Sequence, residues 1–170
     1  MLETLILNSL FEKKCTIYGI KKYITDKFGI FSIPSLGAIH PAIQRLEKKG
    51  YVSVAKTISD GGKKALYHQI TSEGKKYFNV LFSEIQSTTV DKISSEIKIK
   101  IIILQNVKDK ETKKAFFENT QRALELASYE IKNFIANNKN GYIETSASLL
   151  LKEFSDLKYN LDILQKEELV

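Results

Sequence analysis

Apolar residues recur at helical intervals through most of the chain. Leu2, Leu5, Ile6 and Leu10 form a stripe that predicts a first helix over 2–13. Lys13, Lys14 and Cys15 interrupt it. Thr16 then stands where an N-cap opens a second helix, with Ile17, Ile20, Ile24 and Phe28 on one side and Gly29 as its C-cap. Pro34 biases Ile33 away from helix, so 31–34 reads as a loop. Leu36, Ile39, Ile43 and Leu46 next share a face, Ser35 can cap them, and Gly50 marks the stop. Pro41 removes one donor inside this helix and should loosen its first turns. The period then shortens to two. Residues 51–58 and 65–70 read as strands around the turn Ser59-Asp60-Gly61-Gly62. Thr71 caps a further helix carrying Tyr77, Phe78, Leu81, Phe82 and Ile85, with a break at 86–89. Three helices followed by a hairpin with lysines beside its turn is the order of a winged helix-turn-helix.

The second half is helical in pattern. Ile97, Ile99 and Ile101 alternate with lysines as a strand would, but helical patterns flank them and the segment reads as helix. Residues 110–137 predict a long helix in which Phe117, Leu124 and Ile131 recur every seven, with Thr120, Ala127 and Phe134 between them. A loop over 137–141 precedes a last helix with Ile143, Leu150, Leu157 and Leu164 at the same interval, interleaved with Ala147, Phe154 and Leu161. Such seams either close on each other within one chain or pair across a two-fold axis. The reading adopted is a mixture, with at least one of the last two helices crossing to a second subunit. It makes Phe117, Leu124, Ile131, Leu150, Phe154, Leu157 and Leu161 the expected dimer interface. The expected architecture is mainly α with a small β-hairpin wing: a winged helix-turn-helix over 1–82, then antiparallel C-terminal helices over 83–170 forming a dimerisation domain.

Charge separates the halves. Residues 1–80 hold 13 Lys and Arg against 6 Asp and Glu, whereas 81–170 hold 13 against 14, so the net +6 arises wholly in the first half. A one-sided basic domain fits a polyanionic partner; a solvated lysine-rich surface is the competing reading. Within that half, the helix after Ser35 turns Gly37, His40, Pro41, Gln44 and Lys48 away from its apolar face, with no carboxylate among them. Its first turn also lacks the acidic residues that usually neutralise a helix N-terminus, which leaves that end able to receive a phosphate. This helix is a candidate for a DNA groove; the same pattern also suits an ordinary amphipathic helix.

Little else carries chemistry. His40 and His68 lie on different elements with no metal-ligand spacing and no triad, so neither catalysis nor metal binding is expected, and no cofactor. The single cysteine, Cys15, excludes an intramolecular disulfide and reads as a small residue at a helix junction rather than a redox sensor. The N-terminus has no basic region before its apolar residues, which reads as neither signal peptide nor membrane span, and a cytoplasmic location is expected. Tyr67 is expected to pack at the base of the wing. Phe116, Phe117, Tyr129, Phe134 and Phe154 either fill a helical core or line a cavity for an effector.

Three segments resemble the PadR family of bacterial transcriptional regulators. The first is TIYGIKKYI with Phe28 and Gly29. The second is PSLGAIHPAIQRLEKKGYV, where Pro34, Ser35, Gly37, Pro41, Ala42, Arg45, Leu46, Glu47 and Gly50 fit the family pattern. The third is DGGKKALYHQITSEGKKYF, with Gly61, Gly62, Lys64, Tyr67, Ile70, Thr71, Glu73 and Gly74 at the wing-to-helix positions. The resemblance covers about the first 80 residues; the remainder is similar in layout to the longer-tailed members. It implies a homodimeric repressor of a palindromic double-stranded DNA operator, released by a small aromatic or hydrophobic effector. It places Ser35, Gly37, His40, Pro41 and Gln44 at the groove and Lys63 and Lys64 on the wing. The family commonly has Tyr at the position of His40, one basic wing position is Ala65 here, and the chain has no Trp for stacking flat ligands. A rival of another class is a winged-helix adaptor that binds proteins through its C-terminal helices.

Overall fold

The computed structural model describes residues 1–58, 64–138 and 140–169; the side chains of residues 57, 58 and 64 lie outside that description. The chain forms two compact units, Met1–Phe82 and Ser83–Val170.

The first unit is built on α1 (Leu2–Glu12), which packs against α2 (Ile17–Phe28), α3 (Leu36–Lys48) and the second strand of the hairpin. The stripe understates α1, because every residue from Thr4 to Leu10 is buried. Of its polar members, Asn8 Nδ2 donates to Tyr23 Oη on α2 at 3.1 Å and Ser9 Oγ to the Ile6 carbonyl at 2.6 Å. Thr16 caps α2 by accepting the Gly19 N–H at 3.1 Å. Gly29 follows α2 in right-handed backbone (φ −58°, ψ −27°), and the helix closes because Phe31 and Ser32 both donate to the Phe28 carbonyl at 2.8 Å.

The hairpin pairs β1 (Val52–Ile58) with β2 (Lys64–Ile70), antiparallel, in a register running from Val52↔Ile70 to Ile58↔Lys64. The turn expected at 59–62, and Lys63, lie outside the described residues. Cys15 adds a one-residue bridge to β2: its N–H donates to the His68 carbonyl at 3.0 Å and receives the His68 N–H on its own carbonyl at 2.8 Å. The interruption between the first two helices is therefore an edge of the wing. Burial pushes the Cys15 thiol above its ordinary pKa despite the opposing pull of Lys13, so the reactive thiolate is disfavoured. Thr71 ties the hairpin base to α4 (Ser72–Ser83): its hydroxyl donates to the Gly50 carbonyl at 2.8 Å and accepts the Gly74 N–H at 3.0 Å. A Cβ on Gly74 would lie 2.0 Å from the Tyr51 carbonyl oxygen, so this approach requires glycine.

The second unit contains α5 (Val90–Leu104), α6 (Lys110–Asn137) and α7 (Gly141–Leu169). The expected helix through Ile85 stops at Ser83. Glu96 is the reason: its carboxylate accepts the N–H groups of Gln86 (3.1 Å) and Ser87 (2.9 Å), holding that segment off helical geometry. Lys100 pairs with Glu96 at 2.7 Å and donates to the Glu84 carbonyl. Glu96 is 3% exposed and Lys100 0%, so the alternating run is a helix whose lysine lies inside the unit. Asp109 caps α6 and Asn140 caps α7, accepting from Thr112 N–H at 2.8 Å and Tyr142 N–H at 3.0 Å. The expected five-residue loop shortens accordingly, since Asn137 and Gly141 are helical. α6 and α7 run antiparallel, as the pairs Gln121–Asp162 (2.9 Å) and Glu125–Lys158 (2.8 Å) show.

Candidate nucleic-acid interface

α3 is amphipathic by burial as well as by sequence. Ile39, Ala42, Ile43 and Leu46 are buried, whereas Ser35, Gly37, His40, Pro41 and Gln44 are all exposed. Ser35 Oγ accepts the Ala38 N–H at 3.2 Å, and no acidic residue stands in the first turn. The helix runs unbroken through Pro41. It ends in a Schellman motif: Tyr51 N–H bonds the Leu46 carbonyl and Gly50 N–H the Glu47 carbonyl, both at 2.9 Å, with Gly50 at φ +74°. Four expected groove residues, Gly37, His40, Pro41 and Gln44, thus fall together on one solvent-facing side of α3, and Ser35 caps its start. A Cβ on Gly37 would meet only Ser35 Oγ, at 3.7 Å. Nothing inside the unit demands glycine there, although glycine in a helix costs about 0.5–1 kcal/mol relative to alanine. Lys64 opens β2 at the far end of the ribbon; its side chain and the whole of Lys63 are outside the described residues.

The C-terminal turn of α3 is braced by residues that spacing did not single out. Arg45 Nε reaches Glu3 Oε1 at 3.3 Å, and Tyr77 Oη donates to Glu3 Oε2 at 3.1 Å. Tyr77 stacks on Tyr51 with ring centroids 4.2 Å apart, and the Lys49 ammonium lies 5.8 Å from the Tyr77 ring. On the other flank, Glu47 Oε1 approaches His68 Nδ1 at 2.8 Å. Of these, Arg45 and Glu47 belong to the Arg-Leu-Glu motif, but their partners are remote in sequence. Tyr67 is half-buried, with the Lys14 ammonium 5.7 Å from its ring.

In the second unit, Phe117, Leu124, Ile131, Phe154, Leu157 and Leu161 are buried, and Leu150 half-buried, along the α6–α7 hairpin of a single chain. Residues that face outward instead are Leu126, Tyr129, Leu149 and Tyr159, each more than half exposed. Phe116 and Phe117 pack on each other inside the unit at 5.3 Å. Phe134 borders a hollow of about 450 Å³, together with Val90, Ile131, Ile143, Ala147 and Leu150, with Glu130 and Ser146 as its polar lining. Among the described residues no helix is long and apolar enough to cross a membrane.

Three helices, the second and third forming a helix-turn-helix, with a two-stranded ribbon behind them define a winged-helix regulator of the DNA-binding kind. The family model described as "Transcriptional regulator PadR-like family" matches residues 6–80. Over residues 6–80 the chain belongs to the PadR-like family of transcriptional regulators, a non-enzymatic family. Among solved structures, a transcriptional regulator from Clostridium thermocellum is 32% identical over 45% of this chain and 73% of its own, with a TM-score of 0.41. A PadR family transcription regulator from Clostridium difficile is 26% identical over 46% of this chain and 80% of its own, with a TM-score of 0.42. Bacillus subtilis PadR, crystallised in complex with operator DNA, is 14% identical over 98% of each chain, with a TM-score of 0.48. No curated protein matches the sequence.

Proposed function

We propose that the protein is a homodimeric, cytoplasmic transcriptional repressor that reads a palindromic operator with α3. One observation carries this: none of the fully exposed residues of α3 is a carboxylate, and among them stands a glycine that the fold does not require. A helix face that accepts this cost without an internal return suits a backbone brought close to an outside surface. The basic excess of the first half makes that surface a polyanion. Ser35 and the uncompensated N-terminus of α3 serve a phosphate, Gly37 and Pro41 give close approach, and His40 and Gln44 reach base edges. Lys63 and Lys64, on the wing, contact the adjacent backbone. Residues 1–82 form the DNA-binding domain and 83–170 the dimerisation domain. The seam residues from Phe117 to Leu161 shape the hairpin, and its outward apolar side chains meet the second copy. The apolar hollow beside Phe134 is of a size for a small aromatic or hydrophobic effector.

The test is binding of the purified protein to duplex DNA from immediately upstream of its own gene, against a scrambled duplex, at low and moderate salt. A preference that survives moderate salt supports the reading. Equal, steeply salt-sensitive binding to both would reduce the basic half to a nonspecific surface. The exposed apolar residues of α6 and α7 also suit the adaptor reading, which predicts no DNA selectivity and a stable complex with a different protein.

A further inference from the structure

The wing leaves the body of its unit at His68. Opposite residues of the ribbon point to the same side, so Val52 and Ile70, Val54 and His68, and Lys56 and Leu66 form successive rungs of one face. Val52 and Ile70 are buried, His68 is 3% exposed, and Leu66 on the next rung is 49% exposed. His68 is thus the last buried side chain on β2 before the ribbon projects into solvent. It is held twice. Its backbone makes both hydrogen bonds of the Cys15 bridge, and its imidazole meets the last turn of α3 through Glu47 at 2.8 Å. The carboxylate oxygen lies close but off the ring N–H direction, and Nε2 has no hydrogen-bond partner.

We propose that Glu47 and His68 are positioning residues for DNA binding: together they set the angle between the wing and α3, so that both engage one duplex. The proposal rests on the reading of α3 and the wing as the DNA-contacting elements. The lever is long. Four residues of strand from His68 to Lys64 span about 13 Å, so roughly 10° of slack at His68 moves the end of β2 by about 2 Å. That displacement is enough to lose a charge-assisted contact, whose heavy-atom distance is only about 2.7–2.9 Å.

The test uses the full chain and the salt dependence of binding to its preferred duplex. Glu47 is part-exposed, so Glu47→Ala should fold; its melting curve, and binding measured well below the melt, verify this. Removing a carboxylate from a basic unit strengthens DNA binding if charge alone matters. The brace predicts the opposite: a loss of about tenfold, with the slope of log K against log salt flattened by about one unit for each lost phosphate contact. The preference for operator over scrambled DNA persists, because α3 still reads the groove. Glu47→Gln keeps an acceptor for the imidazole and retains both affinity and slope. Equal or tighter binding by folded Glu47→Ala, or an unchanged slope, overturns the brace. So does Glu47→Gln behaving like Glu47→Ala. Failure of the unsubstituted protein to prefer any duplex overturns the DNA-binding reading itself, and the brace with it.

Discussion

In Met1–Phe82 several polar side chains pair across junctions between elements: Asn8 with Tyr23, Glu3 with Arg45 and Tyr77, His68 with Glu47. In Ser83–Val170 the comparable feature is one saturated ion pair, Glu96–Lys100, pinned to the backbone of residues 84–87. The exteriors differ in the opposite sense. The first unit exposes, besides apolar side chains such as Tyr18, Ile30 and Ile33, a helix face that carries Gly37 and Pro41, and the second exposes large apolar side chains such as Leu126, Tyr129 and Leu149 along α6 and α7. Each exterior carries a cost that its own unit does not explain. A helix weakened on its outer face points to a surface approached by its backbone, and exposed aliphatic and aromatic side chains point to a surface meant to be covered. Under the proposed function, the contrast separates a DNA-binding face from an assembly face.

The sharpest way to break the comparison is to open the ion pair. Glu96→Ala leaves the Lys100 ammonium buried without its partner and should cost the second unit about 3–5 kcal/mol in chemical denaturation. A loss below about 1 kcal/mol would mean that water reaches the pair. Burial pushes the Glu96 carboxyl upward, but Lys100 and the Ser87 and Gln86 donors outweigh this and hold it below the ordinary carboxylate range. A carboxyl lowered by folding contributes its stability above the unfolded pKa and loses it as pH falls through the lowered value. Acid should therefore destabilise the unsubstituted protein more steeply than Glu96→Ala, as acid titrations of unfolding will show. In the first unit, Gln44→Ala should weaken operator binding by about 1–3 kcal/mol while leaving scrambled-duplex binding nearly unchanged, read by competition anisotropy. Gly37→Ala divides the two kinds of cost. It should stabilise the fold by up to about 1 kcal/mol in thermal melts and still weaken DNA binding, because the added methyl stands where the backbone approaches the duplex. If affinity rises along with stability, Gly37 does not face DNA. The smallest effect belongs to a surface pair: Lys158→Ala, which removes the bridge to Glu125, should change stability by no more than about 1 kcal/mol.

Local rules made much of the first unit legible. Thr16, Ser35 and Thr71 accept the N–H three residues on, as capping chemistry dictates, and Gly50 takes the one positive φ seen among the described residues. Pairings across the chain were not legible. Cys15 interrupts a periodicity, and nothing in its neighbours announces that it pairs with His68 more than fifty residues on. The same holds for Glu3 with Arg45. In the second unit Phe117, Leu124, Phe154 and Leu161, which the seven-residue intervals group together, are buried, whereas Phe134 of the same pattern is exposed. An apolar seam carries no record of which helix covers it, however, and here α6 and α7 of one chain meet. Glu96 and Lys100 were hidden because an isoleucine–lysine alternation satisfies a period of two, while the i, i+4 spacing that unites them belongs to the helix. Their effect on the end of α4 was hidden with them.

The central claim is that α3 reads a symmetric DNA site. The most direct measurement is selection from a random duplex library with the full-length protein at moderate salt, followed by sequencing of the bound fraction. The account predicts enrichment of an inverted repeat whose half-sites lie about one helical turn apart, roughly 10 bp, and loss of that enrichment with Gln44→Ala. A bound fraction with no enriched repeat, or the same repeat recovered by the Gln44→Ala protein, would contradict it.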